Sequence, residues 1–208
     1  MPADLPLVWR IRGRQCLVVG GGRVAERRIH RLLAAGASVT VVSPVLTPRL
    51  RALYSRGAFR WHQRAYRAGD SAGAALVITA TDRPEVNRSA ALEARSAGAL
   101  VNRADEGSEG DVVFPAVLQR GPLLFAVSTS GHSAALAAWV KEQLAVLFPP
   151  AWAAYVEWLG AFRRAVQACV ADGTMRRHLL RGVLEWGVAE RIAAEDWSGL
   201  WRLIAERA

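Results

Sequence analysis

Three stretches of this sequence carry residue types and spacings suited to chemistry. The first is Gly20-x-Gly22-x-x-Ala25. Its first glycine permits a tight turn, its second lets a backbone approach a pyrophosphate, and its small third residue lets a helix pack closely on a strand. A helix opening there, with Arg23 and Val24 in its first turn, offers free N–H groups and a positive dipole end to phosphates. The second stretch is Ser128-Thr129-Ser130-Gly131-His132-Ser133. Hydroxyls at a helix start form an anion site, and Ser130 or Ser133 can equally serve as an ordinary helix cap. The third is Asp105, just past a predicted strand end, the edge at which open α/β sheets bind ligands. Taken alone, it reads as well as a turn cap. Its neighbours Glu106, Glu109 and Asp111 read as solvated loop charges.

The second strand lacks the acid that usually holds the ribose of a dinucleotide. That position reads Val42-Ser43-Pro44-Val45. The Ser43 hydroxyl can bond a ribose oxygen. No acid is present to repel a 2′-phosphate, and Arg49 and Arg51 would favour one, so NADP stays open beside NAD. His132 is open to an acid–base or metal role, although a lone histidine near a helix start usually has neither. His30, His62 and His178 have no supporting pattern. No Cys/His cluster is present, and no metal site is expected. Cys16 and Cys169 are expected to be free thiols.

These residues need elements to position them. Gln15–Val19, Ser38–Val42, Phe59–Gln63, Ala74–Ala80 and Leu100–Asn102 read as strands. The stretches 24–35, 47–56 and 85–97 read as helices, stopped by Gly36, Gly57 and Gly98. This alternation calls for a parallel sheet with helices on its faces. Beyond it, Asp111–Phe114 and Leu123–Ser128 read as strands about an Arg120-Gly121-Pro122 turn. Ser130–Phe148 reads as a helix, and the tail from Ala151 as helical throughout. The tail carries Trp152, Trp158, Trp186, Trp197 and Trp201, expected as packing surface. The expected fold is an α/β, Rossmann-like parallel-sheet nucleotide domain over 1–115, a small dimerisation segment over 116–150 and an all-helical region over 151–208.

Composition narrows the classes further. The chain has 208 residues, 52% hydrophobic and 22% charged, which excludes a disordered or collagen-like chain. The net charge is +9, and all the basic residues except Lys141 are arginines. Thirteen arginines and one acid, Glu26, fall between Arg10 and Arg67. Such a basic half suits nucleic acid, a membrane surface or a polyanionic small molecule. No apolar run reaches the ~18 residues of a membrane span, and the N-terminus lacks a signal-peptide pattern. A cytoplasmic protein is expected.

Five ordered stretches carry a family resemblance. Trp9–Arg27 (WRIRGRQCLVVGGGRVAER), Val39–Pro44 (VTVVSP), Ile78–Asn87 (ITATDRPEVN), Asn102–Pro115 (NRADEGSEGDVVFP) and Phe125–Ala137 (FAVSTSGHSAALA) together resemble the siroheme-synthase type of precorrin-2 dehydrogenase. Ala134 stands where that family has proline. Some members are also sirohydrochlorin ferrochelatases.

The resemblance implies oxidation of precorrin-2 to sirohydrochlorin with NAD, in a homodimer, with ferrous iron insertion left open. It implies NAD contacts from Gly20, Gly22, Arg23, Val24, Ser43, Pro44, Val45, Thr81 and Asn102. Substrate contacts fall to Ser128, Thr129, Ser130, Gly131 and His132. Asp105 becomes the catalytic residue, a carboxylate able to take the proton lost as hydride leaves. The methyltransferase domain fused in some members is not expected, so precorrin-2 would come from another enzyme. The favoured partner is therefore a carboxylate-fringed ring rather than nucleic acid or membrane. Two rival readings remain: a non-enzymatic NAD(H)-sensing regulatory module, and a dehydrogenase of another small substrate.

Overall fold

A computed structural model describes residues 4–184, 187–196, 198, 199 and 202. The chain divides into two compact units, Met1–Phe114 and Pro115–Ala208.

The first unit is built on five strands: β1 (Gln15–Val19), β2 (Ser38–Val42), β3 (Arg60–His62), β4 (Leu76–Thr79) and β5 (Leu100–Arg103). All pair in parallel in the order β3-β2-β1-β4-β5. This is the Rossmann-like sheet expected from the alternation. Its central strands are buried on both faces, so they are continuous apolar runs rather than alternating ones. Helix α1 (Arg23–Ala34) buries Ala25, Ile29 and Leu32, spaced to fall on one stripe. Helix α2 (Pro48–Tyr54) follows β2, with the Thr47 side chain capping it by accepting from Leu50 N–H. Helix α3 (Pro84–Ser96) buries Asn87, Ala90, Ala91 and Ala94. Small residues let it lie close to the sheet, and one buried amide sits among them. Cys16 lies in the core and Cys169 is exposed; both are free.

The expected strand over Asp111–Phe114 is not formed. The Asp111 carboxylate instead accepts from Val101 N–H at 3.0 Å and pairs with Arg95. The N–H groups of Asp111 and Val112 both donate to Val101 C=O. The segment is thereby strapped across the edge strand β5. The hairpin strand is β6 (Ala116–Arg120), antiparallel to β7 (Leu123–Val127). The two-residue Gly121-Pro122 loop requires its partner strand to be the residues immediately before it, which rules out 111–114.

The second unit contains that hairpin, α4 (Ala134–Leu147), α5 (Trp152–Cys169), α6 (Gly173–Gly182) and α7 (Val188–Ala193). Helix α4 starts later than expected because Ser133 is its cap, accepting from Leu136 N–H at 3.1 Å. The tail is not continuous helix. It breaks at Val170, and Asp172 then caps α6 by accepting from Met175 N–H. Tyr155, Val183, Val188 and Ile192 form the core, with Trp152 and Trp158 packed on it. Trp186, Trp197 and Trp201 lie outside the described residues. A chain of rings runs Phe125–Phe148–Trp152–Tyr155, with centroids 4.5, 4.8 and 5.2 Å apart. It joins the hairpin to α5. Among the described residues no helix is long and apolar enough to cross a membrane.

The turn after β1 is the tightest point of the first unit. A Cβ on Gly20, whose φ is +123°, would lie 2.4 Å from Ala80 C=O. Gly20→Ala is expected to cost about 3 kcal/mol, combining backbone strain with overpacking. Thermal melting checks this, and an unchanged midpoint would disprove the close approach of β1 and β4.

Candidate dinucleotide site

A cleft of about 910 Å³ opens at the C-terminal ends of β1, β2 and β4. This is where a doubly wound sheet binds nucleotides, because the chain runs from β1 outward to β2 and β3 on one side and then crosses back to β4 and β5 on the other, which opens a crevice beside β1. Gly20, Gly21, Gly22, Arg23 and Val24 form its floor. Ser43, Pro44, Val45 and Thr47 line one side, and Thr81, Asp82, Arg83 and Val86 the other.

The three glycines differ in what they permit. Gly20 and Gly21 are pressed against backbone: a Cβ on Gly21 would lie 2.1 Å from Val45 C=O. Gly22 has nothing within 4 Å of where its Cβ would stand. It is the N-cap of α1, and no side chain caps that helix. The first-turn N–H groups thus face open space in the cleft. Unfilled donors at a positive helix end, beside a glycine with room in front of it, fit a pyrophosphate. The residues present therefore fit a dinucleotide.

Most residues expected to touch the cofactor meet in this cleft: Gly20, Gly22, Arg23, Val24, Ser43, Pro44, Val45 and Thr81. Ser43 does so with its proton already committed. Its Oγ donates to Val45 C=O at 2.7 Å, shaping the turn after β2, and only acceptor capacity remains for a ribose hydroxyl. Asn102 does not line the cleft. It is buried near the end of β5, its Nδ2 donates to Val112 C=O at 2.8 Å, and its Oδ1 has no partner among the described residues. Arg49 and Arg51 do not line the cleft either. Arg49 is exposed and pairs with Glu26, leaving Arg23 and Arg83 as the lining cations among the described residues.

Several lining residues were not among those expected to touch the cofactor. Thr47 accepts from Leu50 N–H and donates to Glu26 Oε2, so one hydroxyl ties α2 to the first turn of α1. Tyr66 follows β3 and shares a hydrogen bond with the buried Ser71 at 2.9 Å. Burial is the main cause that pushes its phenol up to about 12. Thr47, Tyr66, Asp82 and Arg83 all follow strand ends, and the ligand-edge rule applied to every strand would find them.

Asp105 sits past β5 in an unforeseen setting. Its neighbour Arg103 has a side chain only 1% exposed. The guanidinium makes a fork to Asp105, with Nη2–Oδ2 at 2.7 Å and Nε–Oδ1 at 3.2 Å. Arg103 also pairs with Glu106 at 2.8 Å and with Glu109. These two acids are exposed, as loop charges are expected to be, and they also serve as counterions of a buried arginine. Burial pushes the Asp105 carboxyl up. Hydrogen bonds from Arg103 and Asn87 and the Arg103 charge outweigh it, and the net result is a carboxyl at about 2. A group that acidic is a weak proton acceptor near neutrality.

In the second unit, Ser128–His132 form a closed turn ahead of α4. Thr129 Oγ1 accepts from Ser133 N–H and donates to Ser133 C=O, both at 3.0 Å. Ser128 Oγ accepts from Ser130 N–H at 3.2 Å, and Ser130 takes a left-handed φ of +49°. Gly131 and His132 are exposed, and His132 N–H donates to Thr129 C=O. Among the described residues no group of three or more His, Cys, Asp or Glu is placed to hold a metal.

Comparison with known proteins places the chain. Residues 7–116 match a family model described as "Putative NAD(P)-binding". The siroheme synthase of Chromobacterium violaceum is 37% identical over 191 residues, 92% of this chain and 41% of that protein. That of Pseudomonas aeruginosa (strain UCBPP-PA14) is 35% identical over 203 residues, 98% of this chain and 44% of that protein. The chain spans about two fifths of the length of the curated relatives it matches. The solved structure of SirC, a precorrin-2 dehydrogenase, superposes with a TM-score of 0.82 at 26% identity, over 98% of this chain and 100% of SirC. The chain therefore belongs to the NAD(P)-binding family, as a homologue of the siroheme synthases and of the precorrin-2 dehydrogenase SirC.

Proposed function

We propose that this chain oxidises precorrin-2 to sirohydrochlorin with NAD, a step of siroheme biosynthesis. The observation that carries the reading is the end-to-end likeness to SirC, joined to a cleft whose glycine floor and open helix start fit a dinucleotide. A bound NAD supplies the hydride acceptor. The chain's own residues do the rest. The first-turn N–H groups at Gly22 and Arg23 hold the pyrophosphate. The turn 43–45 and Thr81 bound the two sides of the cleft. Asp105 meets the substrate as a carboxylate locked by Arg103. Its low pKa favours a fixed anion that stabilises positive charge as hydride leaves, over a base poised near neutrality. Ser128, Thr129, Ser130, Gly131 and His132 are assigned to the carboxylate rim of the macrocycle, through hydroxyls and N–H groups at the start of α4. Ferrous iron insertion is a further activity to assay, with iron as substrate.

We also assign the dimer contact to 116–150, between the nucleotide domain and the helical tail. What supports it is the apolar surface of that stretch: Leu124, Leu136, Trp139, Val146 and Leu147 are all exposed. A cluster of this kind on one segment marks an interaction surface.

Mixed with precorrin-2 and NAD, the protein is expected to produce NADH and sirohydrochlorin absorbance in step. NADH no higher than in the enzyme-free control would end the dehydrogenase reading. Gly22→Ala is expected to keep the melting temperature while weakening NAD binding about tenfold, read by calorimetric titration, because its methyl group enters the space left for phosphate. Asp105→Asn is expected to slow NADH formation about 100-fold with NAD affinity within severalfold. Arg103 keeps Glu106 and Glu109, so the fold persists.

The pH dependence has a definite sign. The folded carboxyl of Asp105 lies at about 2, below its ordinary 3.8. Its contribution to stability is present above the ordinary value and lost as pH falls from there toward 2. Between pH 5 and pH 2 the melting temperature should fall less in Asp105→Asn than in the parent; parallel curves would contradict the Arg103 lock.

A further inference from the structure

Two parts of a dinucleotide already have places in the first unit. The open start of α1 fits the pyrophosphate, and the end of β2 at Ser43 is the ribose position of a doubly wound sheet. The base lies beyond the ribose, on the side away from the pyrophosphate. The strand in that direction is β3, which neighbours β2. The corner between them is fixed: Ser43 N–H donates to His62 C=O at 3.2 Å, and Trp61 Nε1 donates to Ser43 C=O at 2.9 Å. The loop that leaves β3 brings Ala65 and Tyr66 into the lining of the cleft.

That loop holds Tyr66 from several sides. Its phenol oxygen shares a hydrogen bond with Ser71 Oγ at 2.9 Å, and Ser71 is fully buried. The N–H groups of Ser71 and Gly69 both donate to Glu93 Oε1 of α3, at 3.2 and 2.9 Å. Arg64 forks onto Asp70 at 2.7 and 2.6 Å, and Asp70 accepts from Arg67 N–H at 2.9 Å, which closes the loop around residue 66. The hydroxyl end is thus anchored in the interior, and the ring is what remains for the cleft. Tyr66 is half-buried and packs, as Val86 does, on the core cluster that holds Ala90, Ala91 and Ala94 of α3. Both residues line the cleft. A ring that only plugged the core would be shut off from it.

We propose that Tyr66 is the platform for the adenine of the bound dinucleotide, its ring held in place by Ser71 and, through the loop backbone, by Glu93. Every base has a π-face, so an aromatic ring stacks on it without needing a hydrogen bond. A ring fixed before the ligand arrives also spares the cost of ordering it on binding. The inference rests on the NAD part of the proposed function and not on the precorrin-2 part.

The test uses the whole chain, deuterated except at its tyrosine rings. The sequence has three tyrosines, Tyr54, Tyr66 and Tyr155, and the signals missing from Tyr66→Phe identify the one in the cleft. With NAD bound, nuclear Overhauser effects are expected between adenine H2 or H8 and the Tyr66 ring. No effect at the adenine, or effects from the nicotinamide protons alone, would overturn the proposal. Calorimetric titration then compares NAD with ADP-ribose, which keeps the adenine and lacks the nicotinamide. Tyr66→Ala is expected to weaken both about tenfold, within what one aromatic ring contributes to one base. Tyr66→Phe keeps the ring and should stay within about threefold of the parent for both. Equal affinities in parent and Tyr66→Ala, or a loss confined to NAD, would overturn the platform. The Overhauser measurement is made on the parent, so it decides the question even if Tyr66→Ala does not fold. A parent that binds neither NAD nor ADP-ribose would refute the cofactor reading and this inference together. A parent that shows the adenine contact but yields no NADH from precorrin-2 would refute the dehydrogenase reading and support the platform.

Discussion

The close approach of backbone to backbone beneath the glycine turn governs the first unit. Gly20 lies against Ala80 C=O, and Gly21 against Val45 C=O, at distances no side chain survives. Those contacts bring the loops after β2 and β4 against the end of β1. They also leave Gly22 and the uncapped start of α1 facing the open cleft. A dinucleotide site needs unfilled N–H donors with space in front of them, and the tight packing of two glycines creates the space beside the third. Thr47 extends the same logic on one side through its bonds to Leu50 and Glu26. Asn87 extends it on the other through its bonds to Thr81.

Asp105 has a different kind of setting. A buried guanidinium is stable only when its charge and donors are met, and Arg103 has Asp105, Glu106 and Glu109 around it. The geometry that satisfies the arginine also fixes the carboxylate and keeps it ionised. This favours a standing electrostatic role over proton shuttling. The same economy appears at Ser128–Ser133, where hydroxyls that look free in the sequence largely serve one another and the start of α4. Their remaining lone pairs and protons are what a carboxylate-fringed ring could use.

The basic surplus takes on a narrower meaning in this light. Arg23 and Arg83 line the nucleotide cleft. Arg103 is consumed internally, and Arg28 stacks its guanidinium 4.4 Å from the Phe114 ring centroid. Only part of the positive charge therefore stands where a diphosphate would feel it.

Local chemistry already determined much of this protein. Buried parallel strands must be apolar throughout, so Cys16–Val19 and Leu76–Thr79 were legible as runs. The glycine spacing after β1 was legible because only glycine tolerates those contacts. Residues drawn from separate loops were not legible in the same way. Thr47, Tyr66 and Arg83 share a cleft only because the sheet order brings their strand ends together. Likewise, nothing local distinguishes Asp111 as a strand opener from Asp111 as a strap on Val101 N–H, and the expected strand there gave way to that bond. Glu106 and Glu109 are exposed as the sequence suggests, but their pairing with Arg103 was not legible, because burial of Arg103 depends on what β5 packs against. Periodicity, turn chemistry and helix caps act over a few residues and can be read in order along the chain. Charge state, the partners of buried polar groups and the membership of a cleft depend on contacts between distant residues, and only the tertiary structure decided them.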